Sequence, residues 1–385
     1  MAGRHGSGPL AGAMSQSPSS RRDFLQGKSA LQAAESLLPN PAAAGSSQSA
    51  LAPAENEAPR YLVQVGRTAM ACEFQVLLNA GEADLGTEAA LTALEQVSYL
   101  EEQLSVYRPE SEVSVLNRHA AKQPYPVSAN LFGLLEQCVE LYHETRGAFD
   151  ITSGPLSKTW GFYRRQGRLP SQDEINQGLA CVGARRLEVC PTERTITFGH
   201  PELEVNLGGI GKGHALDQCQ EILRDHDVTS FLLHGGRSSV LASGHRTGHV
   251  VHPDGWLVAL KHPLKPDAEL GQVRLRDRAL GTSGSANQFF YFQGRRFSHV
   301  LDPRNGWPAE ELLSATVLAP SAALADALST AFFVLGYEPS KTYCQDHAGI
   351  GAILVSSGQR SGAIEIRTLG LAPGEWAPNQ EHTAS

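Results

Sequence analysis

The sequence contains no apolar run near the roughly 20 residues needed to span a bilayer, so it predicts no transmembrane segment. It also lacks a basic stretch. The net charge is −8, and the short pairs Arg185-Arg186 and Arg295-Arg296 read as solvated faces. Nucleic acid is therefore a disfavoured partner. The six cysteines (Cys72, Cys138, Cys181, Cys190, Cys219 and Cys344) form no CxxC pair and no zinc-ligand spacing. Ordinary buried thiols are expected rather than a disulfide framework. The histidines His234, His245, His249 and His252 show no metal-ligand spacing either. There is no G-x-S-x-G nucleophile elbow and no internal repeat.

What remains is a chain of 385 residues with 41% hydrophobic content, long enough for two domains or one large one. Its first 60 residues are rich in Ser, Ala, Gly and Pro and carry no periodic apolar pattern. Within them, Ser20 to Leu25 (SRRDFL) resembles a twin-arginine export motif, but the stretch that follows is short and charged for an apolar signal core. The chain is exported to the periplasm if this signal works and cytoplasmic if it has decayed. Residues 1–58 are thus expected to be a disordered or signal-like tail, 59–370 the working domain and 371–385 a flexible C-terminal tail.

Along the domain, Tyr61–Val65 and Ala71–Leu78 read as strands, and Gly86–Leu104 as a helix from its apolar period. Val113–Asn117 is a short helix or turn. Ala129–Thr145 is an amphipathic helix stopped by Gly147. Leu187–Phe198 reads as a hairpin and Leu203–Leu207 as a strand. A helix is expected over His214–Asp225 and the last one over about Ser321–Leu335. Phe231–His234, Ser238–Ser243 and Trp256–Lys261 are further strands, and Ile350–Ser356 and Ala363–Thr368 close the sheet. Helices alternate with strands but hairpins are frequent, which predicts an α+β (mixed α/β) fold rather than a doubly wound sheet.

Three stretches carry chemistry. The segment 206–213 (NLGGIGKG) enters a helix through glycines. Such a helix N-terminus favours a phosphate, and Lys212 adds a cation there. It is neither a Walker loop nor a G-x-G-x-x-G fingerprint. Asp326 and Thr330 lie i, i+4 in an otherwise apolar helix, so they share one face. A buried carboxylate needs a partner or a metal, and two hard oxygens suit Mg²⁺ better than zinc. The competing reading is an Asp bonded to a backbone amide and a Thr bonded back along its helix. Third, 289–301 reads as an aromatic hairpin turning at Gln293-Gly294, with His299 near its end before the turn Asp302–Gly306.

Six blocks in register resemble the ApbE family, the FAD:protein FMN transferases. They are Met70–Phe74 (MACEF), Leu104–Asn117 (LSVYRPESEVSVLN), the group Gly147–Asp150, Gly154–Leu156 and Trp160–Phe162, then Leu207–Gly213, Ser298–Pro303 (SHVLDP) and Ala325–Thr330 (ADALST). The resemblance covers about Tyr61 to Thr368. It implies a two-lobed fold with FAD between the lobes. It also implies Mg²⁺-dependent transfer of FMN from FAD to a Ser or Thr hydroxyl of an acceptor protein, releasing AMP. By position, it implies metal ligands at the Gly209 carbonyl, Asp326 and Thr330, a catalytic His299, and FAD contacts at Met70, Tyr107, Ala148, Phe149, Asp150, Asn206, Lys212 and Val300. The alternatives left open are a Mg²⁺-dependent FAD pyrophosphatase giving FMN and AMP, and a non-catalytic FAD-binding protein. The chain departs from the family pattern in three places: Asn206 stands where Asp is usual, Gly235-Gly236-Arg237 lacks the usual Asp or Asn, and Ser285-Ala286-Asn287 lacks the usual acidic residue. Weaker or altered FAD binding is the expected consequence of Asn206.

Overall fold

The computed structural model describes residues 61–81, 85–164, 166–247, 254–265, 267–284, 289–360 and 362–379. The SRRDFL motif, the tail 1–58 and Ser285–Asn287 lie outside them.

The centre of the fold is an eight-stranded sheet in the order β1-β2-β6-β7-β10-β13-β14-β15, in which every neighbouring pair is antiparallel. Its strands are β1 (Leu62–Ala69), β2 (Cys72–Asn79), β6 (Phe231–Gly235), β7 (Ser239–Ser243), β10 (Arg278–Gly284), β13 (Leu312–Ala319), β14 (Gly351–Ser357) and β15 (Ile364–Leu369). Both faces of this sheet are buried. Val76, Leu78, Phe231, Leu233, Val317 and Leu354 join the main core under the helices. The residues between them (Leu77, Leu232, Leu318, Ile353 and Val355) pack the other way, against a second core. That second core is closed by a three-stranded sheet of β8 (Trp256–Lys261), β9 (Glu269–Leu275) and β16 (Trp376–Pro378). Double-sided burial explains why these strands read as continuous apolar runs rather than as alternation. Strand β16 falls within the stretch read from sequence as a tail.

The helices of the described residues are α1 (Gly86–Leu104), α2 (Glu112–His119), α3 (Ala129–Glu144), α4 (Gly154–Thr159), α5 (Gln172–Ala180), α6 (Gly211–Asp225), α7 (Ala322–Leu335) and α8 (Tyr337–Asp346); α4 and α5 bury Leu156 and Ile175 in a small third core with Trp160, Phe162 and Phe297, and the others pack on the main core. Ser111, Ser128, Ser171 and Ser321 cap α2, α3, α5 and α7 through their side chains, satisfying donors that a helix start leaves open. Two minor sheets complete the fold: β3 (Tyr125–Pro126) with β4 (Leu187–Cys190) and β5 (Thr195–Phe198), and the hairpin β11 (Phe289–Phe292) with β12 (Arg295–Ser298). All six cysteines are unpaired.

The fold class agrees with expectation, while two element assignments need correction. Leu203–Leu207 is not a sheet strand. Its backbone is held by a side chain instead: Asn117 donates to the Val205 carbonyl at 2.9 Å and accepts from the Val205 amide at 2.8 Å. The helix ending at Leu335 is not the last, because Gly336 turns the chain into α8. The α8 segment YEPSKTYCQD is polar and contains Pro339, so it lacks the apolar period that marks a helix.

Candidate active site

The sequence-expected residues meet in one place. Eleven of the twelve (Tyr107, Ala148, Phe149, Asp150, Asn206, Gly209, Lys212, His299, Val300, Asp326 and Thr330) line a single cleft of about 440 Å³. Met70 lines a neighbouring cavity of about 410 Å³, which shares Tyr107, Asn206 and Lys212 with the first. Both volumes are of ligand size, since small-molecule sites run to about 300–1,000 Å³.

The floor of the cleft is built by α6 and α7. Asp326 projects from α7 and is 5% exposed. Its carboxylate accepts from the Gly213 amide at 2.8 Å and from the Ser239 hydroxyl at 2.7 and 2.9 Å, with the Lys212 ammonium at 3.7 Å. Burial pushes the Asp326 carboxyl above its ordinary pKa, while Lys212, Ser239 and Gly213 hold the charged form in place. Both sequence readings of this residue are therefore present: Asp326 does bond a backbone amide, and it also faces the cleft. One turn on, Thr330 Oγ1 lies 3.1 Å from Ser283 Oγ and donates to the Asp326 carbonyl at 3.3 Å. Gly209 sits opposite; a Cβ placed on it would be 3.7 Å from Thr330 Oγ1 and 3.4 Å from the Phe149 ring.

The glycine turn differs from a simple phosphate cradle. The Gly213 amide is committed to Asp326, and the Gly208 amide to Asn206 Oδ1 at 2.9 Å. Asn206 thus closes an Asx turn that shapes the loop. Its own amide donates to the Ile151 carbonyl at 2.7 Å, tying this turn to the segment that carries Phe149 and Asp150. Asp150 is buried and accepts from the amide and hydroxyl of Thr152 at 2.8 and 2.6 Å. Burial raises its pKa, and those bonds oppose the rise.

On the far side, His299 follows β12 directly. Its hairpin is anchored by Phe290 and Phe297, which stack at 5.3 Å and pack around Trp160. The His299 ring meets Phe162 edge to face at 6.5 Å. Tyr107 is 68% exposed and stacks on Tyr163 at 5.2 Å. Met70 and Ala71 form the two-residue β1–β2 turn with φ of 49° and 58°. Non-glycine residues rarely adopt such angles, and here they present Met70 to the apolar cavity beside Leu104 and Val106.

Sequence reasoning missed Ser239 and Ser283. Both are hydroxyls on central strands, and nothing in their local pattern says which helix they face. Among the described residues, no three His, Cys, Asp or Glu side chains cluster as a metal centre. A set of one carboxylate, one hydroxyl and one carbonyl does not require such a cluster.

Residues 70–354 match the model of the ApbE family. The Escherichia coli K12 FAD:protein FMN transferase is 30% identical over 295 residues, covering 75% of this chain and 82% of that protein. The Vibrio cholerae FAD:protein FMN transferase is 31% identical over 249 residues, covering 64% and 72%. Among solved structures, the apo flavinyl transferase ApbE of Pseudomonas stutzeri superposes with a TM-score of 0.70 at 27% identity, covering 81% of this chain and 98% of that one. The ApbE protein of Thermotoga maritima does so with a TM-score of 0.70 at 26% identity, covering 79% and 96%.

Proposed function

The chain belongs to the ApbE family, and from its cleft we propose that it moves FMN from FAD to a Ser or Thr hydroxyl of an acceptor protein, with Mg²⁺, releasing AMP. That it is a flavin-transferring enzyme, acting on FAD and a protein acceptor, follows from its family and its relatives. The finer statement rests on one observation: Asp326, Thr330, Gly209, Lys212 and His299 converge on a single cleft.

The donor set fits a hard divalent cation. The Asp326 carboxylate, the Thr330 hydroxyl and the Gly209 carbonyl are all oxygens, and Asp326 is a buried acid whose nearby cation is a lysine at 3.7 Å rather than a tight ion pair. A bound Mg²⁺ would neutralise charge on the pyrophosphate oxygens of FAD. Lys212 supplies fixed positive charge beside the same position, where it stabilises the charge that grows on the departing phosphate oxygen. His299 accepts the proton of the attacking hydroxyl, a task suited to an imidazole near neutral pH. The hydroxyl oxygen bonds to the FMN-side phosphorus, the bond from that phosphorus to the bridging oxygen breaks, and AMP leaves with that oxygen. Tyr107 and Met70 offer a flat aromatic face and a polarisable thioether for the flavin ring.

Incubation with FAD, Mg²⁺ and an acceptor protein, followed by intact-mass measurement, tests this reading. The expected result is an acceptor heavier by one FMN with AMP released in equal amount. Free FMN and AMP with an unmodified acceptor would make the chain a hydrolase, and unchanged FAD would make it a binder.

A further inference from the structure

Two helices carry the proposed metal site, and one side chain outside the cleft joins them. Lys212 and the Gly209 turn belong to the start of α6, whereas Asp326 and Thr330 belong to α7. Each contact between α6 and α7 therefore sets the distance between the two halves of the site. Gly213 is one such contact, since a Cβ placed there would stand 2.1 Å from the Ala322 carbonyl oxygen. Asp217, one turn further along α6, is another. Its Oδ1 accepts from the Ala322 amide at 2.7 Å and its Oδ2 from the Ala323 amide at 2.9 Å.

These two bonds complete the start of α7. A helix leaves its first four amides without internal partners. Here Ser321 Oγ takes Leu324 at 3.3 Å and the Ser321 carbonyl takes Ala325 at 3.1 Å. Ala322 and Ala323 have no such local solution, and a residue 105 positions earlier in sequence provides it. The Asp217 carboxylate grips α7 with both oxygens, which resists rotation of that helix as well as translation. Rotation matters because Asp326 begins one turn beyond Ala322, and a turn of α7 about its axis would swing Asp326 and Thr330 away from Gly209.

We propose that Asp217 is a positioning residue for the metal site: it locks the register of α7 on α6 so that Asp326 and Thr330 face Gly209 and Lys212. This inference rests on the Mg²⁺-dependent reading above. It assigns Asp217 no contact with FAD, since Asp217 does not line the cleft.

The test compares Asp217→Ala, Asp217→Asn and a control, Val258→Ala. Val258 is buried in the second core, away from both helices. Mg²⁺ binding is measured by calorimetry on the protein without turnover. Thermal stability, KM for FAD and the Mg²⁺ dependence of AMP release are measured alongside. Asp217→Ala should weaken Mg²⁺ binding about ten- to a hundredfold, the range for losing a partner that orients a ligand. KM for FAD at saturating Mg²⁺ should stay within about twofold, because no FAD contact is lost. Asp217→Asn, which keeps one acceptor oxygen, should fall between wild type and Asp217→Ala. Val258→Ala should lose stability and keep the wild-type Mg²⁺ curve. A wild-type Mg²⁺ curve in Asp217→Ala would overturn the inference, as would an equal shift in Val258→Ala. If Asp326→Ala also keeps full Mg²⁺ dependence, the metal assignment itself has failed. If Asp326→Ala loses Mg²⁺ dependence while Asp217→Ala does not, only the role of Asp217 has failed.

Discussion

Asp326 combines packing contacts with a place in the cleft. Its carboxylate is bonded to Ser239 and Gly213 on the protein side while it still faces the cleft. Breaking a buried charge from its partners is costly, yet Asp326→Ala removes the charge along with its need for partners. The expected outcome is a folded protein that no longer shows Mg²⁺-dependent AMP release. His299→Ala should instead keep Mg²⁺ binding and lose transfer by about 10²- to 10⁴-fold, the usual share of a general base. Metal titration and AMP release on both variants separate the two roles; retention of normal turnover in Asp326→Ala would reduce that residue to a bonded core acid. Asn206 is a milder case. Its Oδ1 caps the Gly208 amide, and a carboxylate can accept the same bond. Asn206→Asp should therefore leave FAD affinity unchanged or tighter by titration, and a large loss would show that the site depends on the amide group.

At the scale of elements, the site is a matter of how closely α7 can approach. It lies against α6 at Gly213 and against β10 at Gly281, where a Cβ would stand 2.4 Å from the Ala325 carbonyl oxygen. Backbone cannot yield there as a flexible side chain would. Gly281→Ala should cost about 1–3 kcal/mol, the typical penalty for overpacking, and should lower the urea midpoint at unchanged slope. Because Ala325 adjoins Asp326, the same variant should weaken Mg²⁺ response, whereas Gly294→Ala at the tip of the β11–β12 hairpin, where a Cβ meets nothing within 4 Å, should leave that response unchanged. The Gly294 φ of 79° still makes alanine strained there, so its effect is confined to the hairpin.

For the whole molecule, buried histidines tie stability to pH. His234 is 1% exposed, in contact with Gln75 at 2.8 Å. Burial, helped by Arg237, pushes its pKa down to about 4. The unfolded chain therefore binds a proton more readily than the native one between about pH 6.5 and pH 4. The stability this histidine contributes is fully present above pH 6.5 and is lost as pH falls toward 4. Asp217 works in the opposite sense, because burial raises it to about 6, so the slope of the intact protein is a balance of such groups. The comparison with His234→Gln isolates one of them. The stability of wild type relative to this variant should fall by the order of 3 kcal/mol on going from pH 7 to pH 4, measured by denaturant titration at each pH. A difference that does not change with pH would mean that His234 takes up its proton as readily in the native state as in the unfolded chain. The cleft residues all lie at or beyond Met70, so removal of residues 1–58 should leave FAD affinity unchanged.

Much of this was legible in the sequence. Gly86–Leu104 and Trp256–Lys261 appear with the boundaries expected of them, because apolar period and chain punctuation are local properties. The i, i+4 spacing of Asp326 and Thr330 placed them on one helical face, and the same spacing brings both to the cleft. Other features depended on partners far along the chain. Leu203–Leu207 has the composition of a strand, but the Asn117 side chain takes the hydrogen bonds that a neighbouring strand would have made. β10 lies between β7 and β13, an order that no local pattern carries. Ser239 reaches Asp326 across 87 residues, Gly213 across 113, and Asp217 reaches Ala322 across 105. The sequence by itself determined the helices and strands whose apolar period is strong and local, and which residue types are available for chemistry, since both follow from short-range sterics and side-chain identity. Only the tertiary structure decided which of those residues share a carboxylate, a cleft or a helix start, because such contacts depend on the packing of α7 between α6 and β10.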